Sequence, residues 1–285
     1  MENCRVSSAP LFCGIDLARR IERAEANFMV AATEAAGARG GRGLVLPLGG
    51  GFAVSADDGS PMNKVVGLGF DHIPDGEALD EVERIFAEFD APVQVELATL
   101  ANPEIAGMLT GRGYLLAGFE DVLGRALDDE IAASDTGIEL YSGTRVDLDA
   151  WIDTILDGFT SPDGAGVPSH EDFPRDVIAQ AERDIEKAGA TPYVALCDGV
   201  VAGAASLRIT DRIAQLTGAA TRPDYRRRGA HVALLVERLR DAQRAGCDIA
   251  VVTTAPGSAS QKNLQRKGFY LLYTRAVLVR EPRNG

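Results

Sequence analysis

The chain has 285 residues, 46% of them hydrophobic and 25% charged, enough apolar material for one large core or two ordinary ones. Its 29 basic and 42 acidic side chains leave a formal net charge of -13. That balance excludes the broad basic face needed to hold nucleic acid or an anionic membrane, and it suits a cationic small molecule or peptide as partner.

Cys4, Cys13, Cys197 and Cys247 are scattered, with no C-x-x-C pair, and the histidines are His72, His170 and His231. No metal site is expected, and the cysteines read as reduced, in a cytoplasmic protein. Met1 to Arg5 shows no basic flank followed by an apolar core, so no secretory leader is expected. No apolar run approaches the roughly 20 residues of a membrane helix.

In chain order, Leu17 to Ala36 reads as a helix with Leu17, Ile21, Ala24 and Phe28 on its apolar stripe and Asp16 as N-cap. The glycines of Gly37 to Gly43 then read as a connector, because a strand rather than a helix follows. Leu44 to Leu48 and Phe52 to Ala56 form a hairpin around Gly49-Gly50-Gly51. Val65 to Phe70 reads as a strand, Glu77 to Phe89 as a helix and Val93 to Leu100 as a strand. The acidic, small-residue stretch 128–136 carries no periodic pattern and reads as a boundary. Beyond it come a strand near Ile138 to Tyr141 and a helix over Leu148 to Phe159, with Trp151 as a core residue. A loop over Ser161 to Asp172 and a helix over Asp176 to Ala188 follow. Pro192 to Cys197 and Val200 to Ile209 read as a hairpin, and Arg212 to Ala220 as a further strand.

The chain also reads as a duplication. Met108 to Arg125 and Asn263 to Arg280 share a leucine, a glycine followed by an aromatic (Gly113-Tyr114, Gly268-Phe269) and a terminal arginine at equivalent places. Each reads as a helix end, a glycine C-cap and a strand. Upstream, both halves repeat the order strand, helix, strand. They differ in the turn between that strand and helix. Asp71 to Gly76 holds two acids and no arginine, whereas Thr221 to His231 holds Arg226, Arg227, Arg228 and Gly229 ahead of a helix with Val232, Leu235, Val236 and Leu239 on one face. Main-chain N–H groups, a helix N-terminus and three arginines make an anion site, with phosphate its usual guest. A solvated basic patch is the alternative, but cations at a helix start oppose its dipole unless an anion joins them.

These residues, in this element order, resemble the GNAT superfamily of N-acetyltransferases, marked by R/Q-x-x-G-x-G/A between a strand and a helix. Arg226 and Gly229 fit that mark, while His231 stands where Gly or Ala is usual. Thr221-x-Pro223 before the turn and Ser260-Gln261-Lys262-Asn263 before Gly268-Phe269 extend the likeness. It covers 138–280 well and the first half loosely, where Asn63 to Gly69 looks like the degenerate first lobe of tandem members.

The resemblance implies an α/β fold of two GNAT-like lobes, each a mixed twisted sheet flanked by helices. It divides the chain into 1–128, a lobe without a coenzyme site; 129–136, a linker; and 137–285, the domain that binds acetyl-CoA. It further implies transfer of an acetyl group to a primary amine, in a small molecule or peptide, by direct attack in a ternary complex. The main-chain N–H groups of Arg227, Arg228, Gly229, Ala230 and His231 would hold the pyrophosphate, with the side chains of Arg226 to Arg228 adding charge. Ala219, Ala220 and Thr221 would pair with the pantetheine arm, and Ser260 and Asn263 would lie on the coenzyme side. His231 either helps to hold phosphate or is a passive substitution. The family's tyrosine four residues before the Gly-Phe pair is Leu264 here. The catalytic candidates are therefore Tyr273 as acid and His170 or Glu171 as base. A non-catalytic acyl-CoA sensor or adaptor is the rival reading, and the sequence leaves the acceptor and the oligomeric state open.

Overall fold

A computed structural model describes residues 11–134, 136–161, 167 and 172–282. The first half opens with α1 (Ile15–Ala38), which buries Ala18, Ile21, Ala24, Phe28 and Ala32 along one stripe. Its N-cap is Gly14 rather than Asp16. Asp16 lies in the first turn instead, where it takes a 2.9 Å hydrogen bond from Arg19 and still favours the helix dipole. β1 (Leu44–Leu48) and β2 (Gly51–Ser55) form the expected hairpin. β3 (Lys64–Val66) is only three residues long, because Gly67 and Gly69, at φ 76° and 85°, turn the chain out of the strand that the apolar run suggests. α2 (Gly76–Glu88) is capped by Asp75, whose carboxylate accepts the Ala78 N–H at 2.7 Å. β4 (Val93–Ala98), α3 (Glu104–Gly111) and β5 (Leu115–Ala126) complete the half.

The second half runs β6 (Glu139–Ser142), α4 (Leu148–Phe159), α5 (Arg175–Lys187), β7 (Thr191–Cys197), β8 (Val200–Thr210) and β9 (Ile213–Thr221). It continues with α6 (Ala230–Arg244), β10 (Ile249–Thr254), α7 (Ala259–Gln265) and β11 (Tyr270–Arg280). Between Ala126 and Glu139 the described residues form no helix or strand.

The two lobes share one 11-stranded sheet in the order β1-β2-β3-β4-β11-β5-β10-β9-β8-β7-β6. The last strand of each half has crossed to its neighbour. β11 pairs with β4, β5 pairs with β10, and β5 and β11 pair antiparallel with each other at the centre. Each lobe thereby closes the open edge of the other, and no strand edge is left between them.

Successive residues of the second half point to opposite faces, as a strand requires. Tyr193, Ala195 and Ala205 pack with Leu234 and Leu235 of α6, whereas Val194 and Ala204 pack with Ile152 and Ile155 of α4. α5 joins α4 on the second face and lies beside α1, with Ala181 and Ile185 against Phe28 and Ala32. Trp151 is a fully buried core residue, as the sequence reading has it, and its indole N–H donates to the Ala205 carbonyl at 2.9 Å. So α1, a first-half element, covers part of the second half's sheet.

Candidate active site: an opened strand pair ending in a basic turn

β9 and β10 run parallel, but their register covers only Ile213 to Gln215 against Ile249 to Val251. Beyond that point each strand follows its outer neighbour. β9 stays with β8 as far as Thr221, and β10 stays with β5 as far as Thr254. The facing edges therefore diverge as a wedge, and the polar main chain of β9 from Leu216 to Thr221 meets an opening instead of a ladder.

A bulge follows the point of divergence. The β8–β9 register shifts between Ala204 and Ser206, and Gly218 adopts φ 38°. Arg238 on α6 supplies donors that the bulge withdraws. Its guanidinium reaches the carbonyls of Ser206 at 3.0 Å and Thr217 at 3.4 Å. Burial lowers its pKa to about 10, which leaves it cationic at neutral pH.

β9 leads through a single 3-10 turn, Pro223–Tyr225, into the basic turn. Arg227 and Gly229 both take positive φ, 64° and 95°. The first helical bond of α6 runs from the Ala233 N–H to the Gly229 carbonyl at 2.9 Å. The N–H groups of Ala230, His231 and Val232 thus stand at the helix start with no helical acceptor. Gly229, as the N-cap, has no side chain to cap them. Gly229 is packed as well as turned, since a Cβ there would stand 3.2 Å from Cγ2 of Thr136.

The three arginines differ in place. The Arg226 guanidinium donates to the carbonyl of Thr221 at 3.4 Å and to that of Ser161, fastening the turn to the strand end and to the exit of α4. Arg227 and Arg228 are exposed, with Arg228 paired to Asp198 at 3.3 Å and lying over the Tyr225 ring. Burial, then the nearby Arg238 charge, pushes the His231 pKa down to about 4, so the imidazole is neutral at pH 7 and brings no charge to the turn. Along β9, Ala219 is exposed, Ala220 buried and Thr221 half-buried. Ser260 and Asn263 are exposed on α7, which Gln261 ties to Asp121 of β5 at 2.6 Å.

Tyr273 does not face the wedge surface. It is buried, and its hydroxyl donates to Glu22 at 2.6 Å. Burial and the Glu22 carboxylate hold its pKa well above the ordinary value, so the hydroxyl stays protonated at neutral pH and is a weak acid. His170 and Glu171 lie outside the described residues.

On the α1 face the wedge opens into a cavity of about 220 Å³, lined in part by Glu25, Gln215, Thr217, Gly218, Thr253 and Arg275. The Gln215 amide donates to Glu25 at 3.0 Å, and its carbonyl accepts from Arg208 at 3.1 Å. Arg275 is buried among carboxylates, 2.8 Å from Glu22, 3.6 Å from Glu96 and 3.7 Å from Glu120. Lys64 also pairs with Glu96. Burial raises the Glu25 pKa, and that of Glu120 to about 7. Beside the bulge, Glu182 of α5 is buried and faces Gly218. Sequence reasoning passed over these residues. Their signal is a carboxylate set into an apolar helix stripe, Glu22 and Glu25 near Ile21 and Phe28, and Glu182 near Ile178 and Ile185.

In the first half the corresponding strands β3 and β4 register only at Val65 with Val95, and the turn that follows carries Asp71, paired with Arg23 at 3.3 Å and Arg19 at 3.8 Å. Among the described residues no group of three or more His, Cys, Asp or Glu is arranged to hold a metal ion, and no helix is long and apolar enough to cross a membrane.

Residues 151–269 match the model of the acetyltransferase (GNAT) family. No curated protein matches the chain in sequence. In fold, the chain is similar to a GCN5-related N-acetyltransferase from Kribbella flavida, at 18% identity and a TM-score of 0.67, covering 94% of this chain and 96% of that one. It is also similar to a tandem GNAT protein from the clavulanic acid biosynthesis pathway, at 14% identity and a TM-score of 0.58, covering 92% and 96%. A GCN5-related N-acetyltransferase from Sphaerobacter thermophilus matches at 18% identity and a TM-score of 0.54, over 73% of this chain and 68% of its own. Residues 151–269 thus match the acetyltransferase (GNAT) family, within a two-lobed fold that the chain shares with GNAT proteins of known structure.

Proposed function

We propose that the protein transfers an acetyl group from acetyl-CoA to a primary amine by direct attack, with both substrates held at once. The observation that carries this reading is the separation of β9 from β10 after Gln215, because the freed edge of β9 runs straight into the turn at Gly229. Members of the matched family transfer acyl groups from acyl-CoA to amine acceptors. Acetyl-CoA supplies an activated thioester, so that the new N–C bond forms as the C–S bond breaks, giving amide, CoA thiol and one proton.

The chain's own groups suit that task. The N–H groups of 227–231 and the dipole of α6 favour a diphosphate. Ala219 to Thr221 offer main-chain donors and acceptors to the amides of an extended arm, and Ser260 and Asn263 border the same side. An N–H of β9 in the wedge is placed to polarise an acyl carbonyl. The acceptor enters from the opposite, α1 face, through the cavity beside Glu25. The coenzyme is held by 137–285 alone, while 1–128 shapes the acceptor side.

Thiol release from acetyl-CoA, followed with a panel of amines, tests this reading. Amine-dependent release is the expected result. Tight CoA binding by calorimetry without release from any amine would reduce the protein to a sensor, and absence of CoA binding would remove the coenzyme site itself.

A further inference from the structure

Resting on the acyl-transfer reading, we infer that Glu25 of α1 and Glu182 of α5 form the ammonium site for the acceptor, and that this acceptor is a small amine with no anionic group beside its nitrogen. Glu25 receives the cation and Glu182 accepts its proton.

Four observations converge. First, Glu25 lines the cavity at the wedge and is held there by Gln215 at 3.0 Å. Second, Glu182 is 6% exposed, and among the described residues its Oε2 has no hydrogen-bond partner. An unpartnered buried carboxylate oxygen is costly and invites a donor. Third, that carboxylate is aimed at β9. Both its oxygens stand 3.5 Å from where a Cβ on Gly218 would be, and Gly218 lines the same cavity. Fourth, the surroundings are net acidic. Glu22, Glu25, Glu96 and Glu120 outnumber Arg275, Lys64 and Arg208, the last bonded to Gln215 and interacting electrostatically with Glu25. Arg275 already carries three carboxylates, so it does not serve as a clamp for an acidic substrate.

The Ser206 hydroxyl stands at the same 3.5 Å from that Gly218 Cβ position and lies 2.6 Å from the Thr217 hydroxyl. Burial alone raises the Glu182 pKa to about 7, close to the value that a base working at neutral pH needs. The proton passes from the ammonium nitrogen to Glu182, and the freed lone pair attacks. The cavity, at about 220 Å³, admits a short amine or an amine arm but not a bulky ring system.

The test uses the full chain with diaminobutane and with ornithine, the same diamine bearing a carboxylate. Wild type should prefer diaminobutane in kcat/KM by at least about tenfold. Glu25→Gln should raise the KM for diaminobutane about tenfold with kcat little changed. Glu182→Gln should lower kcat about 100-fold or more and remove the acidic limb of its pH profile, with the KM for acetyl-CoA unchanged. Preference for ornithine, or wild-type kinetics in both variants, would overturn the inference. If no amine releases thiol, calorimetry with diaminobutane decides. Binding that Glu25→Gln abolishes upholds the ammonium site while the transfer reading falls, and no binding to wild type overturns the site.

Discussion

Glu120 of β5 and Arg275 of β11 stand directly opposite each other in the central antiparallel pair, with Glu120 Oε2 3.7 Å from Arg275 Nη1. They hold the same place in the duplicated segments 108–125 and 263–280. Equivalent positions of the two halves therefore meet at the centre of the sheet, as a two-fold relation between the lobes demands. One half contributes an acid there and the other a base, so the duplication ends in a complementary pair instead of two like charges.

That pairing makes Arg275 a keystone for stability. It is 2% exposed and also serves Glu22 and Glu96. Arg275→Leu leaves buried Glu22 without its cation, while Glu96 keeps Lys64, and should destabilise the protein by about 3–5 kcal/mol. Urea unfolding of the full chain checks this. A loss under about 1 kcal/mol would show that the carboxylates find other partners or take up protons at little cost.

Gly229→Ala separates backbone from side chain at the turn. At φ 95°, with Thr136 Cγ2 3.2 Å from the added carbon, the substitution should cost about 1–2 kcal/mol of stability. It should also weaken CoA binding at least about tenfold by shifting the N–H groups of the helix start. Calorimetric titration measures the second effect, and unchanged affinity would place the diphosphate elsewhere.

Arg227 and Arg228 are exposed, so their removal should spare the fold. The double change to Ala should lower CoA affinity several-fold and make it less sensitive to salt, because exposed charges act through screened attraction. Wild type should bind one CoA per chain, since Asp71 and Asp75 occupy the corresponding turn of the first half. A stoichiometry of two would refute that asymmetry.

Glu182 also shapes stability against pH. Its pKa is raised by burial to about 7 in the fold, above the unfolded carboxyl value of about 4.3. Below both values the group is protonated in either state and costs nothing. As pH rises between them, the unfolded chain ionises first and stability falls, levelling off above the folded pKa. Glu182→Gln should therefore match wild type near pH 4 and exceed it at pH 8 by about 1–3 kcal/mol. Urea unfolding of the two proteins at both pH values measures the difference, and equal stability at pH 8 would place Glu182 in contact with water or a cation.

Much of the chain's local organisation is legible before folding. The helix over Leu148–Phe159 shows as apolar spacing around Trp151, Ile155 and Phe159, and the hairpin after Leu44 shows as strand residues broken by glycines. The basic turn stands out as arginines followed by a glycine at the head of an amphipathic helix. Other features were not legible. Nothing near Val65 says that Gly67 and Gly69 will cut the strand short, since a glycine inside a strand pattern takes positive φ only when its surroundings require it. The depth of Tyr273, which sequence offers as a cleft residue, depends on Glu22, 251 residues away.

The sequence by itself determined the elements, their order, the duplication and the single basic turn, because helix period, strand period and turn chemistry act between near neighbours. Only the tertiary structure decided that β5 and β11 change places, that β9 parts from β10 after Gln215, and that Glu25 of α1 and Glu182 of α5 each come to lie beside β9. Sheet order and burial are set by which distant surfaces cover one another, and no local pattern in the chain encodes that choice.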